Sequence, residues 1–134
     1  MSNVSLPILC VDFDGVIHSY MSGWKGETNI PDPPVPGALE FLREATEHFR
    51  VMIYSTRSSS RDGIRAMQNW LNHHVWINHH VVHDDVGDRF WLFLLEWPTE
   101  KPPAFLTIDD RAITFTGEWP SMETLRNFKP WNKK

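Results

Sequence analysis

The stretch Ile8-Leu9-Cys10-Val11-Asp12-Phe13-Asp14-Gly15-Val16-Ile17 constrains the chain more than any other. Ile8 to Val11 offer no polar face to solvent, so they predict a strand buried on both sides. Asp12 and Asp14 are two apart, and a pleat that persists through Phe13 would turn both carboxylates to one side. Gly15 frees the backbone to turn immediately afterwards. Two like charges this close repel, and a divalent cation with a preference for hard oxygen donors, Mg²⁺ above all, would relieve them. Taken alone, the stretch leaves a second reading open: a strand followed by a polar turn with no chemistry.

The next segment, 19–36, carries Gly23, Gly26, Pro31, Pro33, Pro34 and Pro36, which break helix and sheet alike. An irregular segment of this length in a compact domain reads as a flap, with Tyr20, Met21 and Trp24 as its apolar surface. Pro36-Gly37 opens a helix through about Phe49, with Ala38, Leu39, Leu42, Ala45 and Phe49 on one face. Val51 to Tyr54 then predict a second buried strand ending at Ser55-Thr56-Arg57. Strand, crossover with helix, strand is the pattern of a parallel α/β sheet.

A helix from Arg61 or Asp62 to His74 follows, with Ile64, Met67, Trp70 and Leu71 on its apolar face. The segment 75–89 reads as a short strand or helical turn and then a turn at Asp84 to Asp88. Phe90 to Leu95 predict a buried strand, though periodicity alone does not exclude a helix. Ala104 to Ile108 predict another, ending at Asp109-Asp110-Arg111, and Ala112 to Thr116 a last one. Ser121 is placed to cap a short final helix through Phe128, and the tail from Lys129 is expected to be loosely held.

At 134 residues the chain fits one domain, and 41% hydrophobic with 22% charged residues describes a soluble globular protein. The net charge of −4 argues against broad binding to nucleic acid, which enters the expectations only as a substrate. Cys10 is the single cysteine, so no intrachain disulfide can form, which suits a reducing compartment. Without a leader-like start or an apolar run near the roughly 20 residues that span a bilayer, the expected location is cytoplasmic, with no membrane partner.

Three predicted strands thus end in chemically capable groups: Asp12 with Asp14, Ser55 with Thr56, and Asp109 with Asp110. In open parallel sheets such ends converge on one crevice. Singly, Ser55 is a turn residue, Lys101 a solvated charge and Asp109-Asp110 a turn or cap. Together, and in this order, they resemble the motifs of the haloacid dehalogenase superfamily of aspartyl-nucleophile phosphohydrolases. Asp12-Phe13-Asp14-Gly15-Val16 looks like its first motif, Ser55 its second, Lys101 its third and Asp109-Asp110 its fourth. The resemblance runs from Ile8 to about Thr116.

The resemblance implies a single three-layer Rossmann-like α/β domain over residues 1–134, with a central parallel sheet and the flap at 19–36 as a minimal cap. It implies a phosphomonoesterase in which Asp12 attacks phosphorus and Asp14 protonates the leaving oxygen and later activates water. Mg²⁺ would be held by Asp12, the Asp14 carbonyl and Asp109, with Asp110 as a further or alternative ligand. Ser55 and Lys101 would stabilise the phosphoryl group. Thr56 stands where relatives often carry Gly and would narrow the site, and Arg57 is placed to touch substrate.

Nucleotides, nucleic-acid ends and phosphoproteins all remain open as substrates, and a nearly capless enzyme either meets large substrates directly or closes its site as a homo-oligomer. The motifs are shared with phosphotransferases and phosphomutases. A receiver-like signalling domain is a third alternative, disfavoured because receivers place their acidic pair at the first strand. Two further features lie outside the motifs. His73, His74, His79, His80 and His83 form a cluster able in principle to bind Zn²⁺. Among seven tryptophans, Trp70 and Trp91 are expected in the core, and Trp24, Trp97 and Trp119 in or near loops, where lining a substrate entrance or a subunit contact stands as the alternative to a favoured core or incidental role.

Overall fold

The structure, a computed structural model, describes residues 5–78 and 86–133. Strand β1 (Ile8–Val11) is central and pairs in parallel with β2 (Arg50–Ile53) on one side and β3 (Leu106–Ile108) on the other. Leu9 stands opposite Val51 and Leu106, and Val11 opposite Ile53 and Ile108, so all three strands run out at the same edge. The result is an α/β fold with a small open parallel sheet. Leu9, Cys10, Val11, Val51, Met52 and Ile53 are buried, as continuous apolar runs between covered faces require. β3 is different: it is the edge strand, and Leu106 and Thr107, which point to opposite faces, are both exposed, so neither face is covered there.

Helix α1 (Ala38–Ala45) buries Leu39, Leu42 and Ala45, and α2 (Arg61–Ile77) buries Met67, Trp70, Leu71 and Val75. Those spacings of three and four place each set on one stripe, and the two stripes share a core with β1 and β2. Each Leu, Met and Val side chain among them contributes on the order of 1.5–3 kcal/mol when withdrawn from water. The α2 start is fixed by Ser60, whose hydroxyl accepts the Gly63 N–H at 3.0 Å.

Several boundaries differ from expectation. The first helix stops at Ala45 rather than near Phe49, because Thr46 turns back to donate to the Arg43 carbonyl at 2.7 Å and the chain must reverse into β2. Phe49 still packs on the core from that turn. The second helix runs on from His74 to Ile77 and absorbs Val75. Phe90 to Leu95 do not form a strand: Val86–Leu94 is a 3₁₀ helix, and only Glu96 bridges β2. Trp91 and Leu95 are buried while Phe93 between them is 83% exposed, although a pleat would put all three on one face. Ala112 to Thr116 form no strand either, and all five are exposed. The last helix, α3 (Met122–Arg126), is capped by Ser121 as expected but ends before Phe128. The tail is attached rather than loose: Trp131 donates to the Gly15 carbonyl at 2.6 Å and Asn132 to the Ser19 carbonyl at 3.1 Å. No helix among the described residues is long and apolar enough to cross a membrane.

Candidate active site

The carboxyl edge of the sheet carries the acidic groups. Asp12 follows β1 directly, and its N–H bonds the Ile108 carbonyl at 3.0 Å, which ties the first acidic turn to the strand that ends at Asp109. Asp12 then accepts the Phe13 N–H at 2.8 Å. Phe13 is fully buried, edge-on to Trp70 at 5.1 Å, and anchors the turn from below. Gly15 has φ +85°, which L side chains rarely adopt. A Cβ there would also stand 2.7 Å from Asp110 Cγ and closer still to its Oδ2. The backbone conformation therefore favours glycine beside the acidic pair, and any side chain there would have to displace the Asp110 carboxylate.

Asp12, Asp109 and Asp110 each offer a carboxylate oxygen, and these lie within 4.8 Å of one another. Burial and the nearby Asp109 charge push Asp12 up to about 8, and Asp110 is raised mainly by burial. With no cation the cluster therefore retains a proton that isolated carboxylates would have lost. Three hard oxygen donors whose mutual repulsion is relieved by positive charge fit Mg²⁺. Among the described residues this is the one such cluster of His, Cys, Asp or Glu. His73 and His74 lie on α2, whereas His79, His80 and His83 fall outside the described residues.

Asp12, Asp14, Ser55, Thr56 and Asp110 line one cleft of about 180 Å³ together with Tyr20, Trp24 and Arg111. The expected convergence of β1, β2 and β3 ends is thus realised. A larger groove of about 610 Å³ lies between α2 and Leu92–Trp97, lined by Leu71, Trp76 and Phe93 among others. It holds no carboxylate, so size is not the guide to the chemistry here.

Ser55 is buried and caps the 3₁₀ turn Thr56–Ser59: its hydroxyl accepts the Arg57 N–H at 3.0 Å, while Ser58 Oγ accepts the Ser55 N–H. Its own O–H reaches only Met67 sulfur at 3.5 Å, a weak acceptor that an anion in the cleft would outcompete.

Arg57 does not line the cleft. It is fully buried behind it, with Nε 3.0 and 3.2 Å from the two oxygens of Asp14 and Nη1 on the carbonyls of Gly26 (2.8 Å) and Glu27 (2.7 Å). Its guanidinium also lies 4.6 Å from the Trp24 ring centre. His18, equally buried, completes the clamp. The Asp32 N–H donates to its Nε2 at 3.1 Å, so Nδ1 carries the hydrogen that goes to Asp14 Oδ1 at 2.9 Å. Two side chains thus connect Asp14 to three points of the flap. The flap base is closed by main-chain bonds, Ser19 N–H to Pro33 and Val35 N–H to Ile17, which is how so many Gly and Pro residues hold one shape.

Lys101 is exposed, does not line the cleft and makes no ion pair among the described residues; its charge reaches Cys10 on β1. The cation that lines the cleft is Arg111, next in sequence to the acidic pair. Sequence reasoning assigned no role to Arg111 or His18. The adjacency Asp109-Asp110-Arg111 was a usable signal for the first; nothing local marks the second. No family model, curated protein or solved structure matches this chain.

Proposed function

We propose that this chain is a Mg²⁺-dependent phosphomonoester hydrolase of the haloacid dehalogenase type, acting through an aspartyl-phosphate on Asp12. One observation carries the reading: Asp12 ends the central strand within 4.8 Å, oxygen to oxygen, of Asp109 and Asp110, and shares its cleft with Asp14 and Ser55. When bound by Asp12, Asp109 and Asp110, Mg²⁺ would supply the charge neutralisation that lets an anionic nucleophile approach an anionic ester.

The chain's own groups do the rest. A carboxylate oxygen of Asp12 bonds to phosphorus as the bond to the leaving alcohol oxygen breaks, and that oxygen takes a proton from Asp14. Water then attacks phosphorus, gives its proton to Asp14, and displaces Asp12 to release phosphate. Arg57 and His18 fix the orientation of Asp14 for both proton transfers. The Ser55 hydroxyl and the Arg111 guanidinium are available to the phosphoryl oxygens. Lys101, to which the resemblance gives that role, would have to swing in from its exposed loop.

The test is phosphate release from an aryl phosphate by the native chain in Mg²⁺, in excess chelator, and by Asp12→Asn. Turnover that needs the metal and disappears in the variant is expected. Turnover retained in folded Asp12→Asn would remove the nucleophile assignment. Faster transfer to an added alcohol than to water would favour a phosphotransferase.

A further inference from the structure

We infer that Trp24 and Tyr20 of the flap form a subsite for the planar ring of a nucleotide phosphomonoester, with Arg111 beside them for its phosphate. This inference rests on the phosphatase reading for its reaction but not for its binding.

The cleft has a graded lining. Its inner lining is polar: half-buried Asp12 and Asp110 with buried Ser55. Its rim is aromatic, and Trp24 is 49% exposed. One face of that indole is taken by the buried Arg57 guanidinium, which fixes the ring through the same group that bonds the Gly26 and Glu27 carbonyls. A large aromatic side chain held by a buried cation and left half open to solvent is organised to stack on something planar.

Tyr20 points the same way. It is the one non-glycine residue with positive φ (61°) among the described residues, a conformation that needs outside support. It opens the turn closed by the Gly23 N–H on its carbonyl, stands edge-on to His18 at 5.8 Å, and borders the cleft. Arg111 also borders the cleft, and its guanidinium has no ion-pair partner among the described residues even though Asp109 and Asp110 precede it. It is therefore available to substrate phosphate.

Trp24 and Tyr20 border the same cleft as Asp12, so an ester whose phosphoryl group meets Asp12 has its leaving group beside the aromatic pair. A nucleotide suits this lining: its sugar separates a phosphate that meets Asp12 from a flat base that can stack on Trp24. A compact aliphatic phosphoester would leave the aromatic rim unused. A phosphotyrosine also carries a planar ring, joined to the phosphate oxygen with no sugar between, so its peptide is the aromatic control. The shared chemistry is that of a free nucleoside monophosphate and of a phosphorylated oligonucleotide end.

The experiment compares kcat/KM in Mg²⁺ for adenosine 5′-monophosphate, a 5′-phosphorylated single-stranded oligonucleotide, glycerol 3-phosphate and a phosphotyrosine peptide. The native chain is set beside Trp24→Ala, Trp24→Phe and Arg111→Ala, with calorimetric binding of adenosine 5′-monophosphate in parallel. A preference of about 10-fold or more for one or both nucleotide substrates over glycerol 3-phosphate is expected, as one aromatic–base stack supplies. Trp24→Ala should collapse that ratio and Trp24→Phe restore it, whereas Arg111→Ala should lower kcat/KM on all four alike.

Which nucleotide substrate leads identifies the source of the base. Equal use of glycerol 3-phosphate, preference for the peptide, or a ratio untouched by Trp24→Ala overturns the subsite and leaves the phosphatase reading standing. Absence of turnover with nucleotide binding that weakens about 10-fold in Trp24→Ala supports the subsite and counts against the phosphatase reading. Absence of both turnover and binding overturns both.

Discussion

Replacing Arg57 with Met removes a buried cation while keeping most of its volume, and the structure sets the cost. Asp14 loses the Nε donor that meets both of its oxygens, and the Gly26 and Glu27 carbonyls lose Nη1. Breaking a buried pair by removing one partner costs about 3–5 kcal/mol, mostly from the charge left behind. Two features place this case at the lower end. Asp14 is 14% exposed and retains His18, so water and one donor partly replace the guanidinium. Arg57 Nη2 is also buried without a partner among the described residues, and its removal returns about 1–3 kcal/mol. The expected net loss is up to about 2 kcal/mol, or up to roughly 8 °C in Tm for a chain of this size.

Urea unfolding of Arg57→Met, Asp14→Asn and the double variant gives the pairwise term. It should exceed about 1.5 kcal/mol, because neither partner is well solvated. A coupling below about 0.5 kcal/mol would mean that the pair behaves as a surface ion pair, and the clamp described here would be wrong. A local readout separates flap from core. Lys25 precedes the carbonyls that Arg57 holds, so tryptic cleavage after Lys25 should accelerate in Arg57→Met under conditions where the protein remains folded. Cleavage at the native rate would show that the flap is held by its base alone.

Three other outcomes follow from the same geometry. Gly15→Ala should cost about 1–2 kcal/mol from positive φ alone and, by displacing Asp110, weaken Mg²⁺ binding measured by calorimetry; unchanged affinity would contradict the close approach. In chelator, Asp12→Asn should be more stable than the native chain by a margin that widens from pH 5 to 8. Folded Asp12, raised to about 8, holds its proton where the unfolded chain has lost it, so native stability falls with rising pH by at most about 1.4 kcal/mol per unit; a flat margin in urea titrations would refute the raised carboxyl. Trp131→Phe, which deletes the bond to the Gly15 carbonyl, should cost about 1 kcal/mol and speed amide exchange of the Gly15 turn; exchange at the native rate would show the tail contributes nothing there.

How much of this was legible in advance depended on the range of the information. Asp12, Asp14, Ser55 and Asp110 could be placed at one edge because apolar runs fix strands, parallel order fixes which ends coincide, and both signals are local. β3 shows the limit. Its sequence reads as a buried strand, yet Leu106 is exposed, since burial there depends on a neighbour that the next segment does not supply. The run Phe90 to Leu95 failed for a related reason. A short apolar run satisfies strand and helix equally, and only the exposure of Phe93 between buried Trp91 and Leu95, which one face of a strand would hold together, decides against the strand.

Arg57 marks the deeper boundary between sequence and site. Read locally, an arginine after Ser55-Thr56 at a strand end faces solvent and any anion in it. Its burial requires that Asp14, 43 positions earlier, and the Gly26 and Glu27 carbonyls, about 30 positions earlier, surround it from one side each. No window of sequence contains those partners together. The same holds for His18, whose roles toward Asp14 and Asp32 are set only once the flap has closed on its base. The carboxylates that would carry the chemistry are thus encoded by strand position. The groups that aim Asp14 and shape the rim around Trp24 are encoded by closure of the flap. A substitution in the flap can therefore change what the cleft accepts without touching the residues that would perform the reaction.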